Sequence, residues 1–394
     1  MQHVYIVGAK GIPARYGGFE TFVEKLTEYA TTSEIKYHVS SLRNNTQLSR
    51  DNDRFVHNGA DVFVIDVPEI GAAKAIVYDV KALQFAIEDA KKMRYEEPIF
   101  YVLTSRIGPF IGKLKKQILD LGGVLFLNPD GNEWKRQKWS LPVRKYWKLS
   151  ETSMVKRADL IIADNPKIEE YIHREYGKNV SNSVFIPYGT DTQPSELTKT
   201  DVKVAEWMEK NEVRLGDYYL IVGRFVPENN YETMIREFVQ SDTKKDLVIV
   251  TNVEENSFYK RLVAETGFDQ DARIKFVGTV YDQELLKFIR QNAFAYLHGH
   301  EVGGTNPSLL EAMATTKLNL LIDVDFNVAV AEDAAMYWDK TASNLATLIN
   351  KADQISDSDY DDFGVKSKRR IQEEFVWDKV VDEYEEVFLN YGKL

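Results

Sequence analysis

Two doubly wound α/β domains, one after the other, are what this sequence predicts. Three observations predict them. Short apolar runs alternate with amphipathic runs over almost all of its 394 residues, and such alternation builds a parallel sheet covered by helices. The alternation pauses at a polar connector, "TDTQPSELTKT" (residues 190–200), and then restarts. In each half a strand runs into a glycine-containing turn just ahead of a helix.

The first-half strand candidates are Val4–Val7, Val62–Val67, Ile99–Leu103, Val124–Leu127 and Leu160–Ala163. After Pro187 come Tyr218–Gly223, Leu247–Thr251, Ile274–Gly278, Ala293–Leu297 and Leu318–Ile322. Their β-branched and aromatic content favours buried parallel strands. Between the first two, Phe19, Phe22, Val23, Leu26, Tyr29 and Ala30 recur at helical spacing and give one buried face. Near the end, Phe375, Val376, Val380, Val381, Tyr384, Val387, Phe388 and Tyr391 form an apolar stripe on a helix. The expected division is 1–189, 190–375, and a helix 376–394 that returns to the first domain. Ligands of such sheets bind at the carboxyl ends of strands. Two sheets facing a central cleft place the site there. Hinges are expected near Pro187–Gly189 and Phe375–Trp377, with ligand binding closing the cleft.

Composition narrows the class. A chain with 44% hydrophobic residues can fill two cores. It contains no cysteine, which excludes disulfides, thiolate metal sites and cysteine nucleophiles and fits a reducing cytoplasm. "MQHVYIVGAKG" enters a strand directly, without the pattern of a signal peptide. No apolar run approaches the ~18 residues of a membrane span. A net charge of −11 speaks against general nucleic-acid binding.

The glycine turns carry the chemistry. The first strand leads into "AKGIPARYGGFETFVEKL", where Gly11, Gly17 and Gly18 allow close backbone approach ahead of a helix. That arrangement suits an anion or hydroxyl, with Lys10 and Arg15 adding charge. It lacks the G-x-G-x-x-G spacing of nicotinamide sites. The second half repeats the device as "LIVGRFVPENNYETMIREF", with Arg224 at the strand end offering a fork to a phosphate. In "HGHEVGGTNPSLLEAMA" Pro307 fits the first helical position, and Asn306 or Thr305 can cap it. The helix dipole there favours a diphosphate. Glu311, one turn in, can accept hydrogen bonds from ribose hydroxyls. The expected ligand is a nucleoside diphosphate carrying a further group.

"GAKGIPARYGGFETFVEKL", "FLNPDGNEWKR", "IIADNPKIEEYI", "IPYGTD", "VGRFVPENNYETMI" and "GHEVGGTNPSLLEAMA" resemble the retaining glycosyltransferases of family 4 with two Rossmann-like domains, the GT-B type. Within that family the blocks are most similar to streptococcal capsule and cell-wall β-1,4-rhamnosyltransferases, and the resemblance runs over essentially the whole chain. It implies transfer of L-rhamnose from dTDP-β-L-rhamnose, with retention, to glucose or N-acetylglucosamine on undecaprenyl diphosphate. No metal or other cofactor is implied. Arg224 would bind the diphosphate and Glu311 the ribose. Gly17, Gly18, Glu228, Asn229, Gly303, Gly304, Thr305 and Asn306 would complete the donor site. The family pairs two glutamates eight positions apart, but Gly303 stands at the first position and Glu301 is the nearest carboxylate. The lysine usual after the arginine is replaced by Asn229 or Asn230, and the histidine of the first domain by Asn128 or Asp130. Arg224, Glu301 and Asp130 are the candidate catalytic residues, Asp130 either near the reacting carbon or capping its own turn. A hexosyltransferase using a UDP-sugar, or a nucleotide-sugar 2-epimerase of the same architecture, is the alternative, and product analysis with and without lipid acceptor separates them.

One stretch stands apart in charge. From Trp134 to Arg157, eight basic residues face the single acid Glu151. Trp134, Lys135, Arg136, Lys138, Trp139, Arg144, Lys145, Trp147 and Lys148, joined by Arg15, are the candidate acceptor or membrane residues. Interleaved tryptophan and cations suit an anionic lipid headgroup layer. The expected location is peripheral, on the cytoplasmic face of the membrane.

Overall fold

A computed structural model describes residues 1–15, 17–46, 52–136, 139–253 and 255–393. They divide into two compact units, Met1–Gly189 with Trp377–Leu394, and Thr190–Val376. The chain therefore leaves the first unit once and comes back to it.

The first unit holds β1 (Gln2–Val7), β2 (Ile35–Leu42), β3 (Arg54–His57), β4 (Ala60–Ile65), β5 (Ile99–Leu103), β6 (Val124–Asn128), β7 (Leu160–Ala163) and β8 (Ser183–Phe185). Their order in the sheet is β3-β4-β2-β1-β5-β6-β7-β8. All pairings are parallel except β3 with β4. The sheet is central because β1 and β5 to β7 are apolar on both faces. The helix Trp377–Asn390 covers part of it. Tyr384 is buried there with its hydroxyl 3.2 Å from that of Tyr101, and Glu385 accepts from the Thr31 hydroxyl at 2.9 Å.

The second unit holds β9 (Tyr218–Val222), β10 (Asp246–Val250), β11 (Ile274–Gly278), β12 (Ala295–His298), β13 (Leu318–Ile322) and β14 (Met336–Trp338). Its parallel order is β11-β10-β9-β12-β13-β14. Val376 belongs to this unit through its bridge to Thr190, so the returning segment starts at Trp377. Four strands lie beyond the ten sequence candidates: β2, β3, β8 and β14. The helix expected over Phe19–Ala30 runs Gly18–Glu28.

In both sheets the direction of winding reverses once, between β1 and β5 and between β9 and β12. That reversal opens a crevice at the carboxyl ends of the strands. The glycine turns sit at these two places.

Candidate functional site

In the second unit, β9 ends at Val222 and the chain turns through Gly223 and Arg224 toward the helix Tyr231–Gln240. The turn is tied down by side chains. Asn229 donates to the Arg224 carbonyl at 2.8 Å, and Tyr231 donates to that of Gly223 at 2.9 Å. Asn230 adopts a left-handed φ of 56° and donates to the Gly299 carbonyl at 2.8 Å. Thus the turn after β9 is joined to the turn after β12. The approach is close, for a Cβ at Gly299 would lie 2.4 Å from the Asn229 carbonyl oxygen. Arg224 is exposed and makes no ion pair among the described residues. Glu228 and Asn229, the expected donor contacts, are buried in the turn.

After β12 the chain passes Gly303, whose φ of 138° excludes ordinary side chains. Asn306 is the cap of the helix Pro307–Thr315, its Oδ1 accepting from the Ser308 amide at 2.9 Å. Its carbonyl takes the Leu309 and Leu310 amides at 3.0 and 3.2 Å. The first-turn donors are therefore closed onto Asn306. The amides of Gly303 and Gly304 make no hydrogen bond among the described residues, and they, with the helix dipole, are what an anion meets. Thr305 is buried. Glu311 Oε2 lies 2.5 Å from Nη2 of the buried Arg290. Glu301 pairs with Lys340, so this carboxylate already has a counter-ion and a cation reaches the loop from beyond β14.

His298 ends β12, buried, with no hydrogen-bond partner for either ring nitrogen. Burial and then the neighbouring His300 hold its pKa well below the usual 6.5. It is neutral in the folded chain, and the unfolded chain takes up its proton near pH 6.5. Its stabilising contribution is thus full above pH 6.5 and is lost as pH falls below it. His298→Phe should flatten the fall of Tm between pH 7 and 5, read by scanning calorimetry; an unchanged slope would show that His298 does not cause it.

In the first unit the turn after β1 packs against β5. Gly8 has φ 115°, and a Cβ there would lie 2.4 Å from the Leu103 carbonyl oxygen. Gly17, φ 130°, precedes Gly18 at the start of the helix. The sequence expects an anion or hydroxyl at this helix start. The structure puts an internal carboxylate there instead. Glu20 is buried, accepts the Lys10 amide at 2.7 Å, and lies where a Cβ on Gly17 would point, 1.9 Å away. Arg15 is exposed.

Next to this turn is a second buried carboxylate, Asp79, without a hydrogen-bond partner and 3.2 Å from Arg106 Nε. Burial lifts its pKa to about 6, against the pull of Arg106. Arg106 follows β5 and donates to Thr104 Oγ1 at 2.9 Å. At the end of β6, Asp130 takes a left-handed φ of 57° and accepts the Gly131 amide at 2.8 Å. That is the geometry of a residue capping its own turn. The buried Tyr188 hydroxyl is pushed well above its usual range by burial and by Asp164 and Asp130. Glu20, Asp79, Arg106, Asp164, Arg290 and Lys340 were not singled out from the sequence.

The basic stretch is less free than its composition suggests. Lys148 contacts the Tyr171 and Tyr176 hydroxyls at 2.9 and 3.1 Å, pairs with Glu175 at 2.8 Å, and lies 4.7 Å from the centroid of the Trp134 ring. Arg136 pairs with Glu133, Arg144 donates to the Trp134 carbonyl at 2.8 Å, and Trp139 donates to Glu133 at 2.9 Å. Trp147 leans on Trp139 with ring centroids 6.5 Å apart. Lys135 and Lys145 are exposed, and Lys138 lies outside the described residues. Exposed apolar groups stand beside them: Leu141 and Leu149 on the helix Leu141–Val155, and Phe110 on the adjoining helix Gly108–Leu119. Among the described residues no group of three His, Asp or Glu is placed to hold a metal. No helix among them is long and apolar enough to cross a membrane.

Residues 203–370 match the family of glycosyl transferases group 1, and residues 1–191 match a domain of unknown function, DUF1972. The chain thus has the GT-B fold of two Rossmann-like units, and its second half is similar to the group 1 glycosyl transferases. An uncharacterized glycosyltransferase of Methanocaldococcus jannaschii is 25% identical over 249 residues. That alignment spans 59% of this chain and 59% of the relative, under two thirds of its length. Sucrose-phosphate synthase from Thermosynechococcus elongatus has the same fold, with a TM-score of 0.78 at 18% identity and all of both chains covered. So does Anabaena HepE, solved in complex with UDP, with a TM-score of 0.72 at 13% identity over 99% of this chain and 100% of that one.

Proposed function

We propose that the chain transfers L-rhamnose, with retention, from dTDP-β-L-rhamnose to glucose or N-acetylglucosamine carried on undecaprenyl diphosphate. The observation that carries the donor half of this reading is the joining of two turns at the crevice between β9 and β12. Asn230 ties them, so that Arg224 and the Gly303–Gly304 amides stand at neighbouring strand ends. A nucleoside diphosphate fits that chemistry, and the UDP complex of HepE supports it. The sugar and acceptor are read from the sequence blocks.

In the reaction, the bond from the anomeric carbon to the diphosphate oxygen breaks on the face where the acceptor oxygen attacks. The acceptor's proton passes to the departing diphosphate. Arg224, the two glycine amides and the helix dipole stabilise the charge that develops on that group. Asp130 shapes the turn after β6 by accepting the Gly131 amide. No metal is needed to neutralise the leaving group when these groups do so. A screen of nucleotide sugars against synthetic lipid-diphosphate glucose and N-acetylglucosamine, with linkage determined by NMR, tests the whole reading. Product from another donor alone, or hydrolysis or epimerisation without acceptor, would overturn it.

The proposed location is peripheral, on the cytoplasmic face of the membrane. Exposed Phe110, Leu141 and Leu149 with Lys113, Lys116, Lys135 and Lys145 supply apolar and cationic contacts. Each cation near an anionic surface contributes about 1 kcal/mol. Replacing those four lysines by serine should abolish sedimentation with phosphatidylglycerol liposomes at low salt and leave dTDP affinity unchanged. Equal sedimentation of variant and parent would remove this surface as the dock.

A further inference from the structure

Just past β5 the backbone is strained. Thr104 is buried at φ 126°, a region that a β-branched residue enters only at a cost. The helix Leu141–Val155 holds the segment in place. Ser150 donates to the Ser105 carbonyl at 2.5 Å and accepts the Gly108 amide at 2.7 Å, and Tyr146 donates to the Arg106 carbonyl at 2.7 Å. The side chain fixed in this way is Arg106. Its Nε donates to Thr104 Oγ1 at 2.9 Å and stands 3.2 Å from Asp79, a carboxylate that is fully buried. Tyr78, one residue before Asp79, donates to the Ala9 carbonyl at 2.9 Å, so this carboxylate lies beside the winding reversal between β1 and β5. Thr104 and Asp79 therefore hold one edge of the guanidinium. Nη1 and Nη2 make no hydrogen bond or ion pair among the described residues, and the side chain is 21% exposed.

We propose that Arg106 grips a phosphate of a lipid-linked diphosphate, so that the crevice of the first unit selects ligands that carry one. This rests on the acceptor half of the function proposed above. Two uncommitted nitrogens on a planar fork match two oxygens of a phosphate. Strain like that at Thr104 persists only where the surroundings over-determine it. Here it leaves a guanidinium fixed before any ligand arrives, which spares the entropy of ordering it on binding. Asp79 stiffens the grip from behind and is too buried to meet the phosphate itself. The choice of a lipid follows from the helix Leu141–Val155. Tyr146 and Ser150, four residues apart, hold the Arg106 segment. Leu141, Lys145 and Leu149 share the same spacing and are exposed on another face. One helix thus joins the apolar and cationic stripe to the phosphate grip, and a phosphate reached from that stripe is one tethered at a bilayer surface. Arg106 selects and holds the ligand; no bond is made or broken there.

Geranyl diphosphate carries the diphosphate and a short apolar tail without a sugar. With dTDP at saturation to fill the donor site, titration calorimetry of the full chain should show geranyl diphosphate binding. Inorganic pyrophosphate should bind about tenfold more weakly, for want of the tail. Arg106→Gln should weaken geranyl diphosphate by about tenfold or more, as the loss of charge-assisted hydrogen bonds implies, and leave dTDP affinity unchanged. Because that variant leaves Asp79 buried without its counter-ion, the double variant Asp79→Asn, Arg106→Gln is measured beside it and should show the same loss. Equal binding of geranyl diphosphate by the parent and either folded variant, or no binding by the parent, would overturn the proposal. Pyrophosphate bound as tightly as geranyl diphosphate would overturn the lipid and make this a site for free anions. The function proposed above fails separately. A donor screen without rhamnosyl transfer, beside binding that depends on Arg106, would strike that reaction and leave this site standing.

Discussion

Arg224→Ala is expected to lower turnover of dTDP-rhamnose by about 10²–10³, the usual effect of removing one group that stabilises a developing anion. The side chain has no ion-pair partner among the described residues to leave behind. Its backbone is fixed by Asn229 and the Gly223 carbonyl by Tyr231, neither of which depends on the guanidinium. The variant should therefore keep the parent's Tm. Initial rates at saturating acceptor, with a thermal melt of the same sample, make the check. Turnover within threefold of the parent would remove Arg224 from the leaving-group site. A lower Tm with proportionate loss of activity would make it structural.

Gly8→Ala should strongly destabilise the first unit. The backbone there sits at φ 115°, which costs an ordinary residue about 1–3 kcal/mol. The new Cβ would also lie 2.4 Å from the Leu103 carbonyl oxygen, and overpacking of that kind adds about 1–3 kcal/mol. Because the contact is with main chain, relief requires β1 and β5 to part at the winding reversal. Calorimetry should show a clear loss of stability with the second unit's transition unchanged. A Tm equal to the parent's would mean that the β1–β5 approach is looser than described.

How much was legible follows the range of the interactions. Strands apolar on both faces, such as Tyr218–Val222 and Leu318–Ile322, announce themselves in their own residues. β2 does not, because Ile35–Leu42 includes His38, Ser40 and Ser41, polar residues that the fold buries. β3, β8 and β14 lie at sheet edges and are only three or four residues long, too short to show a pattern of their own. Capping chemistry is local, so Pro307 and the choice of Asn306 or Thr305 could be read, and the structure decides for Asn306. Arg290 with Glu311, Lys340 with Glu301, and Asp79 with Arg106 join residues distant in sequence. Nothing in the surrounding residues points from one partner to the other. The two glycine turns read alike, yet only the structure shows that Glu20 fills the first. Composition misled in one place. A run of cations looks free until Glu133 and Glu175 are found beside it.

The returning helix has a consequence for synthesis on the ribosome. The first unit consists of residues 1–189 and the segment from Trp377, so its sheet emerges long before the helix that covers part of it. At ~5–20 residues per second, the wait is on the order of 10–40 s. During that interval the faces of Tyr101 and Tyr37 that later meet Tyr384 and Phe388 stand uncovered, while the second unit is made in one continuous piece and can finish first. The half encoded first is thus the half completed last. A chaperone that shields apolar surface would act on the nascent first unit and release it only once the returning helix has left the tunnel.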